Sequence, residues 1–474
     1  MKQLTVASSI MMCVGLGITY LILPEQGAVA IYHTAAVGAA LAIGMGILPE
    51  AQMGIRSLIR TDLVALAALY GLTLVEFFFP QGDLAVGAQQ IELTVGAQTA
   101  TQGVKALFIG FVGLIIGRHL APTPRPAATS AMDIQLSPRT LFRLYLLLLS
   151  PAYLNMLMAV SFDPVELVNQ MLGPRFSQPW QRGQLGGWFE LVGELGGVLL
   201  CLVPPVAGTV LANRQQYTIS QITIVGLGLV FTLFFGFSSG TRNVFAVYLV
   251  LLVVSYVIFK PDIGWRYAAC LACLTAAILY LSAYYMLQFR QVGLAYYFES
   301  GGMVVRPGEN TLLIDNDLAV ISKLTNIFPD TIQYLGLEVA YYAIVHPVPR
   351  ALWPDKPEHL SVEIADALDQ NGVTLSATFV GEAYMMGGYL AILVVGLVLG
   401  WLCGWWNRFG RDLQSSLNVA LYASGFFPAM LAMRSMIWLT TAMLPSLAIW
   451  LYVRTRQRKP RFPATRSYDQ SPSV

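Results

Sequence analysis

Arginine is the residue type whose placement in this sequence most invites chemistry. Arg242 ends the segment Ser238-Ser-Gly-Thr-Arg242 at the close of one apolar run. Arg290 directly follows another run, behind Tyr280, Tyr284, Tyr285 and Phe289. Arg350 and Lys356 lie in a proline-studded stretch, His346-Pro-Val-Pro-Arg350-Ala-Leu-Trp353-Pro-Asp-Lys356-Pro, and Arg175 and Arg182 lie in a shorter polar segment. A planar guanidinium fork suits phosphate oxygens, and beside a membrane its charge acts through a lower dielectric. Arginines converging on one face would therefore hold a lipid-linked phosphate. The competing reading of each is a charge that snorkels to headgroups or pairs with a carboxylate. Glycine and proline neighbours fix the backbone at Arg242 and Arg350, which favours a binding role there, whereas Arg182 reads as an ordinary surface charge.

Carboxylates and histidine come next. Glu382 stands in Gly381-Glu-Ala-Tyr384, where a long polar segment turns apolar again, and Glu190 and Glu194 are four apart on one helical face. Acids at membrane depth are costly and mark function, either as catalysts or as partners for arginine. His346 is the group best suited to move a proton near neutral pH, although a lone loop histidine can also be incidental. Asp315-Asn-Asp317 reads as a solvated turn rather than a metal site. Neither a zinc spacing, a nucleophile elbow nor a phosphate-cradling glycine loop is present, so no metal and no cofactor is expected.

The elements that must position these residues are membrane helices. Hydrophobic residues make up 56% of the 474 residues and charged ones 11%, against about a quarter charged in a soluble domain. The mean hydropathy is +0.62. Apolar runs of spanning length fall near 4–23, 27–48, 62–80, 102–118, 140–160, 187–212, 218–237, 243–259, 267–287, 383–406, 416–433 and 436–453. The expectation is an all-α integral membrane protein with about twelve transmembrane helices. The first run is too long for a signal peptide's apolar core, and no small-x-small cleavage pattern precedes Pro24. With both termini inside, 18 of the 28 basic residues fall on the inner side, and the short outer turns are nearly free of them. The chain then divides into residues 1–287 with nine spans and an outer loop at 161–186, an outer loop at 288–382, three further spans at 383–453, and a basic tail at 454–474. Within the loops, Asp163-Pro164 predicts a capped short helix, and helices are expected over 330–345 and 361–370. Cys270-x-x-Cys273 falls mid-span and reads as helix packing, and no cysteine lies in a long polar loop to suggest a disulfide framework. A net charge of +2 argues against nucleic acid as a partner.

Three stretches resemble the Wzy-type polymerases of O-antigen and enterobacterial common antigen. Gly240-Thr-Arg242-Asn243 before an apolar run is similar to the family's helix junction. Val348-Pro-Arg350-Ala-Leu-Trp353-Pro-Asp-Lys356-Pro357 is similar to its loop motif, and Thr378-Phe-Val-Gly381-Glu-Ala-Tyr-Met-Met-Gly387-Gly388 to its loop exit. Arg175 with Gly186, and Arg290 with Gly301, match a spacing described in two outer loops of some members. The resemblance covers the C-terminal half. It implies a glycosyltransferase with a helical fold of the GT-C type in the bacterial inner membrane, acting at the periplasmic face. Such an enzyme moves a growing glycan from undecaprenyl diphosphate onto a new lipid-linked repeat unit. Its partners would be that lipid-linked oligosaccharide, membrane lipids, a chain-length regulator and a flippase. On this reading Arg242, Arg290 and Arg350 hold the diphosphate with Lys356 in support, Arg175 holds glycan or the second lipid, and Trp353 and Tyr384 contact substrate. His346 or Glu382 would be the base. The rivals are an O-antigen ligase, which shares the helical plan, and a lipid-linked sugar transporter, which would gather charge at the membrane midplane.

Overall fold

The computed structural model describes residues 2–78, 94–121, 136–174, 177–180, 187–260, 263–290, 292–302, 317–349, 352–353, 355–357, 359–369, 375–410, 413 and 415–457. Among them the only regular elements are helices. In chain order they are α1 (Lys2–Leu21), α2 (Ala28–Ala51), α3 (Thr61–Thr73), α4 (Val75–Phe78), α5 (Ala97–Leu120), α6 (Pro138–Ala159), α7 (Pro164–Met171), α8 (Gly187–Leu200), α9 (Val203–Ala212) and α10 (Ile219–Ser238). They continue as α11 (Arg242–Phe259), α12 (Trp265–Phe289), α13 (Leu294–Glu299), α14 (Asp317–Ile327), α15 (Glu338–Val345), α16 (Ile364–Ala367), α17 (Thr378–Trp406), α18 (Ser416–Ser424), α19 (Phe426–Arg434) and α20 (Leu439–Gln457). Ten helical segments are long and apolar enough to cross a bilayer, which makes this a multi-pass membrane protein. Shorter apolar helices, Thr61–Thr73 and Met436–Tyr452, stand where the third and twelfth spans are expected.

Lipid offers no hydrophobic drive for helix association, so close backbone approach must supply the contact. The pairing of α5 with α17 shows how. Gly110, Gly113 and Gly117 on α5 face Gly396, Gly400 and Gly404 on α17, and a Cβ built at Gly400 would fall 2.4 Å from the carbonyl oxygen of Leu114. One core gathers α1, α2, α3, α5, α14 and α17; a second gathers α6, α9, α10, α11 and α18. Helix α19 joins them, giving Phe426 to the second and Ala429 and Met433 to the first.

Helix α17 is broken at Gly387 and Gly388, and Gly388 has φ +69° and ψ −152°, a region open to glycine. The interrupted ladder is repaired from the loop. Leu335 N donates to Met385 O at 2.8 Å, and Gly336 N donates to Met386 O at 3.1 Å. At membrane depth such repair is obligatory. A Cβ at Gly388 would also fall 2.7 Å from the Tyr334 hydroxyl. Gly388→Ala is therefore expected to destabilise the protein by about 2–3 kcal/mol, read as a lower thermal unfolding midpoint in detergent.

At the far end of α17 from Gly388, three buried charged groups and the half-buried Arg60 are gathered together. Arg118 pairs with Glu50 at 2.9 Å and with Asp62 at 3.2 Å, and Arg60 pairs with Glu50 at 2.7 Å and Asp62 at 2.6 Å. Ser8 Oγ donates to Glu50, Asn407 Nδ2 donates to Asp62, and Arg118 donates to Ser9. Burial works against the Arg60 charge, but Asp62 and Glu50 override it and raise its pKa above the ordinary value. The sequence counts Arg60 and Arg118 simply as inner-side charges; here they lock α1, α2, α3, α5 and the end of α17 together.

In the loops, α7 forms as expected: Asp163 Oδ1 accepts from Val165 N and Glu166 N, Leu167 and Met171 are buried, and Val165 is exposed. The other two expected loop helices are shorter. Only 338–345 of the 330–345 stretch is helical, because Gly336 turns with φ +61° and its N–H and that of Leu335 go to α17. Of the described residues 361–369 only 364–367 are helical, and Ser361 gives its N–H and hydroxyl to Glu338; residue 370 lies outside the described residues. Cys270 and Cys273 lie on an exposed face of α12 rather than in a packed seam. Asp317, expected in a solvated turn, is buried at the first residue of α14; residues 315 and 316 lie outside the described residues.

Candidate functional site

A cavity of about 1340 Å³ opens between α6, α8, α11, α19 and α20, roofed by the segments around α15 and α16. Its polar lining includes His346, Glu382, Arg434, Asn243, Asn155 and Glu363. Further along α8 and α20 the lining turns apolar, with Leu195, Val198 and Leu199 on one helix and Leu444, Leu447 and Leu451 on the other. The cavity thus joins a polar chamber to an apolar trough.

Glu382 is 4% exposed on the first turns of α17. Its carboxylate accepts from the Ser435 hydroxyl and from Met436 N, the latter at 2.7 Å. It therefore fixes the turn that carries Arg434. Ser376 Oγ adds a hydrogen bond to Arg434 O at 3.2 Å. The Arg434 guanidinium faces the Asn243 amide, and with the amide turned so that its oxygen meets the guanidinium, that oxygen accepts from Nε at 3.1 Å and also from Nη1. His346 caps α15, with Nδ1 in a 2.9 Å hydrogen bond to Thr441 Oγ1 and its ring edge-on to Trp438 at 4.3 Å. An acid, an imidazole and a guanidinium from three distant stretches thus share one chamber.

The expected arginines divide. Thr241 and Asn243, on either side of Arg242, line the cavity, whereas the Arg242 and Arg290 side chains do not. Those two junctions are neighbours: Gly240, at φ +64°, lets the chain pass so close that a Cβ there would fall 2.6 Å from the Cβ of Arg290. Arg350 and Arg175 lie outside the described residues, as does Arg182, while Pro349 lines the cavity. Lys356 is buried, and its ammonium donates to His346 O at 2.6 Å and Val348 O at 3.0 Å, tying down the proline-rich turn. Trp353 is half-buried within that turn, its N–H donating to Pro349 O at 3.1 Å. Tyr384 points into the core, where its hydroxyl reaches the carbonyl oxygens of Thr325 and Phe328, both at 3.4 Å. The side chains of Glu190 and Glu194 lie outside the described residues.

Arg434 is not among the residues expected from the sequence. Its signal is its position, as the one basic residue in the turn between the last two apolar runs. Asn155 and Trp180 carry no local signal at all, and Asn243 enters the sequence reading only as the last residue of the Gly240-Thr-Arg242-Asn243 junction. Among the described residues, no group of three His, Cys, Asp or Glu side chains could hold a metal. No protein-family model matches the chain, and no solved structure matches it.

Proposed function

We propose that this protein is a membrane glycosyltransferase of the GT-C kind that polymerises glycan repeat units on undecaprenyl diphosphate at the periplasmic face of the bacterial inner membrane. The observation that carries this reading is the composite cavity, in which Arg434, His346 and Glu382 meet at the head of a trough lined by leucine and valine. A polyprenyl diphosphate has the same two halves: an anionic head and a long apolar tail.

In the reaction, a hydroxyl of the acceptor sugar attacks the anomeric carbon of the donor glycan. The bond from that carbon to the diphosphate oxygen breaks, and the diphosphate leaves with the electron pair. The hydroxyl proton passes to His346, whose ring is held by Thr441 and Trp438. Arg434 stabilises the charge developing on the leaving group, which a preorganised guanidinium does at little reorganisation cost. Glu382 acts through Arg434 by fixing its turn. Arg242 and Arg290, at the two neighbouring junctions, add positive field, and the resemblance assigns Arg350 to the diphosphate and Arg175 to the glycan or the second lipid.

Arg350→Ala in the native host is expected to abolish glycan chain-length ladders while the protein remains in the membrane fraction at its normal level. Persistence of ladders would remove Arg350 from the diphosphate site. Deleting the gene separates this reading from a ligase: loss of a polymerase leaves a single repeat unit on the lipid A core, whereas loss of a ligase leaves none.

A further inference from the structure

Asn155 on α6 is 4% exposed, and its carboxamide oxygen has no hydrogen-bond partner among the described residues. A buried polar atom left unpaired costs free energy, so a fold that keeps one invites a partner from outside the chain. Asn155 lines the large cavity, and a half-turn of its carboxamide presents the oxygen there, where the occupying molecule can supply the missing donor. The side chain fits there because its neighbour on α8 is glycine: a Cβ at Gly193 would fall 2.8 Å from Asn155 Nδ2.

Trp180 lines the same cavity and rests against the cluster of Met156, Val160, Leu167 and Met171, which fixes it beside the helix that carries Asn155. A broad aromatic face and an amide acceptor are the two halves of sugar recognition. The indole packs the C–H face of a pyranose, and the amide oxygen accepts from a hydroxyl or an acetamido N–H. Both residues belong to the α6–α8 side, whereas Arg434, Glu382 and His346 come from α19, α17 and the α15 segment.

We propose that Asn155 and Trp180 form a carbohydrate subsite that reads a hydrogen-bond donor on the glycan, opposite the groups that hold its diphosphate. This rests on the glycosyltransferase reading above and deepens it, because a site built to bond a hydroxyl or amide discriminates strongly against a sugar lacking that group.

The test uses the full-length protein in lipid nanodiscs with two probes. One is bare undecaprenyl diphosphate; the other is the lipid-linked repeat unit extracted from host cells deleted for this gene. Wild type is expected to bind the glycan-bearing lipid more tightly than the bare one. Asn155→Leu and, separately, Trp180→Leu are each expected to weaken the glycan-bearing lipid by about tenfold or more, while affinity for the bare lipid stays within about twofold. Equal weakening of both lipids, or unchanged affinity for the glycan-bearing lipid, would overturn the subsite. Should Asn155→Leu fail to fold, Trp180→Leu decides alone. Wild type binding the two lipids equally also overturns the subsite, whereas wild type binding neither brings down the glycosyltransferase reading and the subsite with it.

Discussion

Arg434→Ala is expected to slow glycan elongation by about a hundredfold or more while leaving the protein folded, the size of loss seen when one preorganised donor to a developing oxyanion is removed. Arg434 stands at the end of α19, its guanidinium met by Asn243 from the first turn of α11 and its turn fixed by Glu382 from α17. The two hydrogen bonds to Glu382 come from Ser435 and Met436, so alanine at 434 leaves the turn's anchors in place. What is lost is the planar fork facing the chamber. Arg434→Lys should recover part of the rate, since it keeps the charge but not the two-pronged geometry. Single-turnover rates with a lipid-linked repeat unit, compared with unfolding midpoints of the same samples, separate the two effects. A rate close to wild type for the alanine variant would contradict the assigned role.

The second large effect concerns stability, at the other end of α17. Arg118→Ala is expected to destabilise the protein by about 3–5 kcal/mol, because it leaves Glu50 and Asp62 buried with Arg60 as their only ionic partner among the described residues. The desolvation of the two carboxylates remains, while the Coulombic return on it is halved. The loss should be partly recovered in the double variant Arg118→Ala, Glu50→Gln, which restores neutrality and leaves Arg60 paired with Asp62. Thermal or denaturant unfolding in detergent reads both. An unchanged midpoint for the single variant would show that the network contributes no net stability.

The membrane character and most span positions are legible in the sequence because lipid demands long, uninterrupted apolar runs, and those survive inspection one residue at a time. The third and twelfth expected spans appear as shorter helices, Thr61–Thr73 and Met436–Tyr452. Capping at Asp163 is equally local, and α7 forms there. What the sequence leaves hidden is pairing between distant residues. Arg118 lies more than fifty residues beyond Glu50 and Asp62 in the chain, so each reads as an isolated charge until the helices assemble. The helix expected over 330–345 starts late for the same kind of reason: the break at Gly387 and Gly388 claims the N–H groups of Leu335 and Gly336, and the helix begins at Glu338. The candidate site is legible in part. Glu382 and His346 stand out as ionisable groups at element ends and meet in one chamber. Arg434 is marked only by its place in the last turn and Asn155 by nothing local, since their meaning comes from Asn243, Glu382 and Gly193, which only the fold brings near.

The central claim, that this chamber transfers glycan between lipid diphosphates, is tested most directly by reconstitution. Purified protein is incubated with one synthetic undecaprenyl-diphosphate-linked repeat unit, without nucleotide sugar or added metal, and the lipid-linked products are resolved by size. A ladder at whole multiples of the repeat is expected, with bare undecaprenyl diphosphate released in step. A single species of unchanged length, with the protein still folded, would contradict it.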